Sequence, residues 1–245
     1  SHLLEDVNFR FVVPFYPRLN VPTLRNLKAR AAIRTVDEVV YGFINERKAS
    51  GIDGEDLLGM LMSARDADTG EAMTGEQLRD EALTIFVAGH ETTAVLLAWV
   101  CYLLALHPQA AEQLYAEVDQ VLGQRPPSLE DLPKLAYTRM VIDETMRLYP
   151  PAWVTNREAV EDDILCGVRI PAGKVVLLSS YVMHRLPQYW DEPDTFDPLR
   201  FTPEHSAERP RFAYFPFGGG PHLCIGNNFA LTEAALILAS IAQRF

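Results

Sequence analysis

No proline interrupts the chain between Thr74 and His107, and good helix formers fill that stretch. Thr74, followed three residues later by Gln77, makes a capping box, in which each side chain satisfies a backbone donor of the other. The stretch therefore predicts one helix of about 33 residues, roughly 50 Å long at 1.5 Å per residue. A helix of that length has to cross the whole molecule, and few globular domains contain one. Its most apolar part, Ala94–Leu106 (AVLLAWVCYLLAL), is shorter than the roughly 20 residues that span a bilayer, and it reads as a buried core helix.

Around that helix the pattern is helical, then briefly extended, then irregular. Helical periodicity runs from about Leu24 to Lys48, and a short helix is expected from Asp56 to Asp66. Pro108 stops the long helix and starts the next, which ends at Gly123; a further helix spans Tyr137 to Tyr149 and is stopped by Pro150 and Pro151. From Trp153 to Ser180, β-branched runs with Gly-containing turns read as a small sheet. A proline-rich tract follows, as far as about Pro221. So long a segment without regular structure raises the expectation of a functional loop. A last helix is expected from about Cys224 to the end. The fold class is mainly α with small β-sheets. The first twenty-three residues, rich in Pro and aromatic side chains (FVVPFYPRLNVP), read as the middle of a longer structure.

With 245 residues, 48% of them hydrophobic, the chain can bury a substantial core. Its net charge of -11 and pI near 5.0 oppose nucleic acid and acidic membrane surfaces. The one basic concentration, Arg18, Arg25, Lys28, Arg30 and Arg34, reads as the solvated face of an amphipathic helix. Cys101, Cys166 and Cys224 stand far apart without a CxxC pair, which argues against a disulfide framework or a zinc site and for reduced, intracellular thiols. The opening SHLLEDVNF lacks the basic segment and apolar run of a secretory signal.

Four groups of residues carry chemistry. The sharpest is Phe217-Gly218-Gly219-Gly220-Pro221-His222-Leu223-Cys224-Ile225-Gly226, a glycine-rich turn that delivers a cysteine to the start of an apolar helix. Glycines allow positive φ and close approach to a flat ligand, and a sulfur at a helix amino terminus is favoured as thiolate, which suits a metal ligand. A lone cysteine is more often a small buried residue beside a tight turn, by about three to one.

The second group is Ala88-Gly89-His90-Glu91-Thr92-Thr93, in the middle of the long helix. Its glycine costs about 1 kcal/mol of helix stability, and an acid with two hydroxyls must be hydrated or paired there. Such broken local rules mark either a site or a hydrated kink. Third, Glu144 and Arg147 form an i, i+3 pair that by itself means a weak surface ion pair, with Phe196-Asp197-Pro198-Leu199-Arg200-Phe201 downstream. Fourth, Arg157 in PPAWVTNRE reads as a strand-edge surface charge unless a carboxylate awaits its forked donors.

Together these segments resemble the cytochrome P-450 family. The cysteine loop matches F-G-x-G-x-[R/H]-x-C-x-G at all six specified positions, and its three glycines alone would fall in place by chance about 3 times in 10,000. A-G-x-[D/E]-T, E-x-x-R, the arginine, P-x-R-F and the cysteine loop follow in the family's order from residue 88 to 226. Many members carry an acid where this chain has Leu199. The resemblance implies an incomplete cytochrome P-450 fold, without the amino-terminal half and terminal sheet. Residues 1–245 would then be the carboxyl-terminal, haem-binding part of a single domain.

By the same resemblance, haem b (iron protoporphyrin IX) takes the Cys224 thiolate as its axial ligand. Phe217 and Gly218 lie on the proximal side, Ala88 and Gly89 lie across the distal face, and Arg157 and His222 hold propionates. Thr92 hydrogen-bonds the bound dioxygen, and Glu91 relays protons. Glu144, Arg147 and Arg200 form a buried network that fixes the proximal side. The implied activity is insertion of one oxygen atom of O2 into an apolar organic substrate near Phe86, Val87, Ala88, Val154 and Thr155. Electrons would come from an external ferredoxin, flavodoxin-like or NAD(P)H-dependent reductase partner, because no dinucleotide-binding G-x-G-x-x-G strand-turn-helix occurs. Two other readings stand beside it: a peroxide-using or isomerising haem-thiolate enzyme, and a non-catalytic fragment that does not retain haem. The expected location is intracellular, with any membrane anchor in the missing first half.

Overall fold

The computed structural model describes residues 6, 9, 10, 13, 15–51, 54 and 56–245. The opening SHLLEDVNF apart from Asp6 and Phe9, and Phe11, Val12 and Pro14 of the aromatic run, lie outside the described residues. The chain forms two compact units, residues 1–88 and 89–245.

In the first unit, helix α1 (Leu24–Ser50) begins where the Thr23 hydroxyl accepts from the Asn26 N–H at 3.1 Å and ends at Gly51, whose φ of 61° is left-handed. Helix α2 (Leu57–Ser63) is capped by Asp56, which also accepts two bonds from Arg47 of α1 at 2.8 and 2.5 Å. Val40 and Ile44 of α1 bury against Leu78, with Arg79 paired to Asp37 and Asp80 beside them. The basic concentration is only partly a solvated face. Lys28, Arg30 and Arg34 are exposed, whereas Arg25 binds the buried Asp6 at 2.7 Å and stacks on Phe9 at 3.7 Å.

Helix α3 (Gly75–Leu106) is the expected long helix, and its residues fall in both units. The capping box is formed: Thr74 N–H donates to Gln77 Oε1 at 2.9 Å, and Gln77 N–H to Thr74 Oγ1 at 3.2 Å. The expectation that its apolar end is a buried core helix needs correction. Leu96, Val100, Leu103 and Leu104 are buried, but Val95, Tyr102 and Leu106 are exposed. At 3.6 residues per turn one stripe meets the core, and the remaining apolar side chains point elsewhere. By length and composition alone the helix is apolar enough to cross a membrane.

In the second unit that stripe packs with three helices. Helix α4 (Pro108–Leu122) has proline in its first turn and ends at Gly123, φ 57°. Helix α5 (Ala136–Leu148) follows a 3-10 turn at Leu129–Lys134, and helix α8 (Asn227–Ala242) closes the core. Leu114 and Val118 of α4, Val141, Ile142 and Met146 of α5, and Ala234, Ala235, Leu238 and Ala239 of α8 fill it. The three alanines let α8 lie close against its neighbours. The Glu117 carboxylate of α4 accepts from the Tyr137 N–H at 2.6 Å and from the Thr138 N–H and hydroxyl at 2.8 Å each. Those are orphan donors at the start of α5, so α4 fixes where α5 begins.

Instead of one small sheet there are two ladders. Strand β1 (Thr155–Glu158) pairs antiparallel with β4 (Val175–Leu178), in a register that sets Arg157 opposite Val176; β2 (Asp163–Leu165) pairs with β3 (Val168–Ile170) inside them. Pro171 offers no N–H and Gly173 turns to a φ of 74°, which ends one ladder before the other starts. The irregular tract holds two short helices, α6 (Ser180–Met183) and α7 (Pro203–Glu208), and 3-10 turns at Pro198–Phe201 and Gly220–His222.

Leu114→Ala, in the centre of this core, is expected to cost about 2–5 kcal/mol in urea unfolding. Leu129→Ala, at a residue 65% exposed, should stay within about 0.5 kcal/mol.

Candidate functional site

Glu144 and Arg147 lie one turn apart on α5 and both are fully buried, not at the surface. They form a bidentate pair: Arg147 Nε donates to Glu144 Oε2 at 2.7 Å, and Nη2 to Oε1 at 2.8 Å. The remaining guanidinium donors go to backbone carbonyls of the irregular tract, from Nη1 to His184 O at 2.9 Å and Pro193 O at 2.6 Å, and from Nη2 to Thr195 O at 3.1 Å. Glu144 Oε1 also accepts from the Asp197 N–H at 2.9 Å. Arg200 Nε stands 3.6 Å from the same oxygen, an ion pair without a hydrogen bond, while its Nη2 donates to Glu192 O at 3.1 Å. The structure thus brings Glu144, Arg147 and Arg200 together. Burial pushes the Glu144 carboxyl up from the ordinary range, and the Arg147 guanidinium pulls against it. Leu199, where an acid was the alternative, is half exposed and outside the cluster.

The cysteine loop is closed by its own backbone. The Cys224 N–H donates to Phe217 O at 3.0 Å, and the Gly218 N–H to Phe215 O at 3.0 Å. Gly218 and Gly220 adopt φ of 76° and 72°, and a Cβ on Gly219 would come within 2.5 Å of the Phe212 ring. The Cys224 thiol is free and exposed, with Ile225 93% and Phe229 70% exposed beside it in the chain. One expectation is corrected. Helix α8 begins at Asn227 with Gly226 as its cap, so the sulfur precedes the helix, and the turn sets its position. His222 is exposed in the 3-10 turn before it.

Arg157 projects from the exposed strand β1 and donates to Asn156 O at 2.6 Å. Among the described residues no hydrogen bond or ion pair joins it to His222 or Cys224. Val154 is part-buried and Thr155 exposed just before it.

On α3 the hydrogen-bonded helix continues through Gly89–Thr93 without a break. Ala88 is the last residue of the first unit, as Phe86 and Val87 belong to it, and Gly89 opens the second. A Cβ on Gly89 would meet nothing within 4 Å, so open ground lies beside this turn. Glu91 is part-buried and Thr92 exposed. Thr93, one of the two hydroxyls singled out in this motif, is buried without a hydrogen-bond partner, because it falls on the stripe of Leu96 and Val100. The motif reading missed His184 and Glu117, which support the network from outside any motif.

The family model described as Cytochrome P450 matches residues 1–245. Among curated proteins, the chain is 43% identical over 227 residues to cyclooctatin synthase of Streptomyces melanosporofaciens, covering 92% of this chain and 49% of that protein. It is 41% identical to cyclooctat-9-en-7-ol 5-monooxygenase of the same organism (98% and 52% covered), and 37% identical to pentalenene oxygenase of Streptomyces avermitilis (92% and 50%). The crystal structure of the cytochrome P450DA heme domain superposes with a TM-score of 0.89 at 35% identity, over 100% of this chain and 55% of that one. The chain spans about half the length of the curated relatives it matches.

Removing one partner of the buried pair should be costlier than removing both, although the carbonyls of His184, Pro193 and Thr195 lose their donors either way. Arg147→Met is expected to lose about 3–5 kcal/mol, and adding Glu144→Leu should recover part of that loss. Urea unfolding followed by Trp190 fluorescence measures both, since the Arg147 guanidinium sits 5.0 Å from that ring.

Proposed function

The chain belongs to the cytochrome P450 family, and from that premise we propose that it is the haem-binding portion of a monooxygenase acting on an apolar organic substrate, with Cys224 as the axial thiolate. All three cysteines are free and exposed, and the observation that carries the reading is that Cys224 alone of them stands in a turn built on Gly218, Gly219 and Gly220 and closed by its own backbone, bordered in sequence by the exposed Ile225 and Phe229. A soft sulfur donor, glycine backbone that permits close approach and large apolar side chains at the surface fit a flat, apolar, iron-bearing group. When bound, haem supplies the oxygen-activating chemistry, with a thiolate ligand that favours O–O cleavage.

The residues of this chain have separable tasks in the proposal. Cys224 Sγ would hold the iron, and Phe217 and Gly218 would shape the loop that presents it. The Arg157 fork and the His222 ring are the proposed partners of the two propionates, Arg157 giving two parallel hydrogen bonds to one carboxylate. Gly89 keeps the turn beside the oxygen site open. Thr92 Oγ1 donates a hydrogen bond to the oxygen substrate, and the Glu91 carboxylate exchanges protons with solvent. Adjacent helix positions do not face each other, so a proton passes from Glu91 to Thr92 through water.

Electrons come from a separate donor protein, a ferredoxin, a flavodoxin-like protein or an NAD(P)H-dependent reductase. Two relatives carry names that specify a cyclooctatenol and pentalenene, an alkenol and an alkene, in keeping with an apolar substrate. The presence of Glu91 with Thr92 favours an oxygen-using enzyme over a peroxide-using or isomerising one, which needs no proton relay.

The test is the absorption spectrum of the haem-reconstituted, dithionite-reduced chain under carbon monoxide. A strongly red-shifted Soret band that disappears in Cys224→Ser is the expected outcome. The same band in the mutant, or no haem uptake by a full-length version, would overturn the reading.

A further inference from the structure

His184 follows helix α6 and is fully buried, although none of the motifs includes it. Its backbone carbonyl accepts from Arg147 Nη1 at 2.9 Å, which ties it to the Glu144–Arg147 pair. Its ring faces the other way along the same path: Nε2 accepts from the Phe215 N–H at 2.9 Å. Phe215 O in turn accepts from the Gly218 N–H, and Phe217 O from the Cys224 N–H. We infer that His184 is the positioning residue of the cysteine loop, carrying the fixed geometry of the buried pair to the backbone that orients Cys224. The inference rests on the proposed role of Cys224 and adds a residue to it.

The ring chemistry narrows the claim. An amide N–H can only donate, so Nε2 must present a lone pair, and a neutral ring then carries its proton on Nδ1. Nδ1 is buried and makes no hydrogen bond of ordinary geometry, while the Arg147 and Met146 backbone acts on the ring as an acceptor. The Trp190, Tyr214 and Phe215 rings pack round it at 6.4, 5.1 and 5.4 Å. A histidine serving only to fill space would leave Nε2 free to take the proton and would have no reason to face an amide. Burial also lowers the ring's affinity for a second proton, to a pKa of about 4, so the acceptor persists at neutral pH. Tyr214 secures the same segment separately, its hydroxyl lying 3.0 Å from both Asp143 O and Asp143 Oδ1.

The first measurement uses the unmodified chain. Imidazole nitrogen chemical shifts should show His184 as the Nδ1–H tautomer, and an Nε2–H ring would overturn the inference. The second uses His184→Leu and His184→Gln with amide hydrogen exchange. In the leucine variant the amides of 215–224 should exchange several-fold to about tenfold faster, the effect of one lost hydrogen bond, while those of 114–118 in the core stay unchanged. Glutamine, which offers an acceptor oxygen, should restore protection at least in part. Unchanged loop exchange in the leucine variant, or an equal rise in loop and core, would make His184 a packing residue and sink the idea. In the haem-reconstituted chain, the leucine variant should lose its thiolate Soret band faster than the unmodified protein. Failure of a full-length version to show that band would count against Cys224 as ligand, whereas the tautomer and exchange results judge His184 alone.

Discussion

A carboxylate and a guanidinium, both at zero exposure, organise the second unit. Neither could be buried alone, because an unpaired ion in the interior costs several kcal/mol. Together they satisfy each other with two hydrogen bonds, and what they have left over becomes structurally useful. Arg147 has donors to spare, and they reach His184, Pro193 and Thr195, carbonyls that lie in a tract with little regular ladder of its own. Glu144 gathers the Asp197 amide and the Arg200 side chain. A segment that could not order itself through helix or sheet hydrogen bonds is ordered by one ion pair on a neighbouring helix.

That pair is only as well placed as the helix that carries it. Helix α5 is fixed at its start by Glu117 reaching across from α4, and along its length by Val141, Ile142 and Met146 against the small residues of α8. The order of dependence is therefore clear: the hydrophobic core places α5, α5 places the pair, and the pair places the tract leading into the cysteine loop. A loop of glycines is thereby held without having to be stiff itself. Its Gly218 and Gly220 are free to adopt the positive φ that closes the turn.

Much of this was readable in the sequence, though unevenly. The long helix, its Thr74–Gln77 cap, the proline start of α4 and its Gly123 end were all legible because caps and breakers act locally. Burial was harder. An i, i+3 acid and base look the same in sequence at the surface and in a core, and only the downstream F-x-P-x-R-F segment hinted that Glu144 and Arg147 are inside. The short apolar run Ala94–Leu106 overstated the burial of α3, since the exposed Val95 and Leu106 are as apolar as the residues of the buried stripe. The helix expected from about Cys224 starts at Asn227, because its cap is Gly226, which makes no side-chain cap bond and so gives a weaker signal than Ser, Thr, Asp or Asn. His184 and Glu117 were invisible for a physical reason: their roles are long-range hydrogen bonds to backbone, which leave no mark in local pattern.

The two sides of the proposed site follow opposite structural logic. On α3 the polar residues stand where packing is slack. Gly89 has open space beside it, Thr92 is exposed, and the Thr93 hydroxyl is buried without a hydrogen bond. Around Cys224 several amides are instead committed: Phe215 N–H to the His184 ring, Gly218 N–H to Phe215 O, Leu223 N–H to Gly220 O and Cys224 N–H to Phe217 O. A ligand to a metal gains from a fixed position, since a small displacement of the sulfur changes the bond itself. A proton route gains from groups whose hydrogen bonds can be exchanged. His184, far from either motif in sequence, belongs with the cysteine loop through its bond to the Phe215 amide.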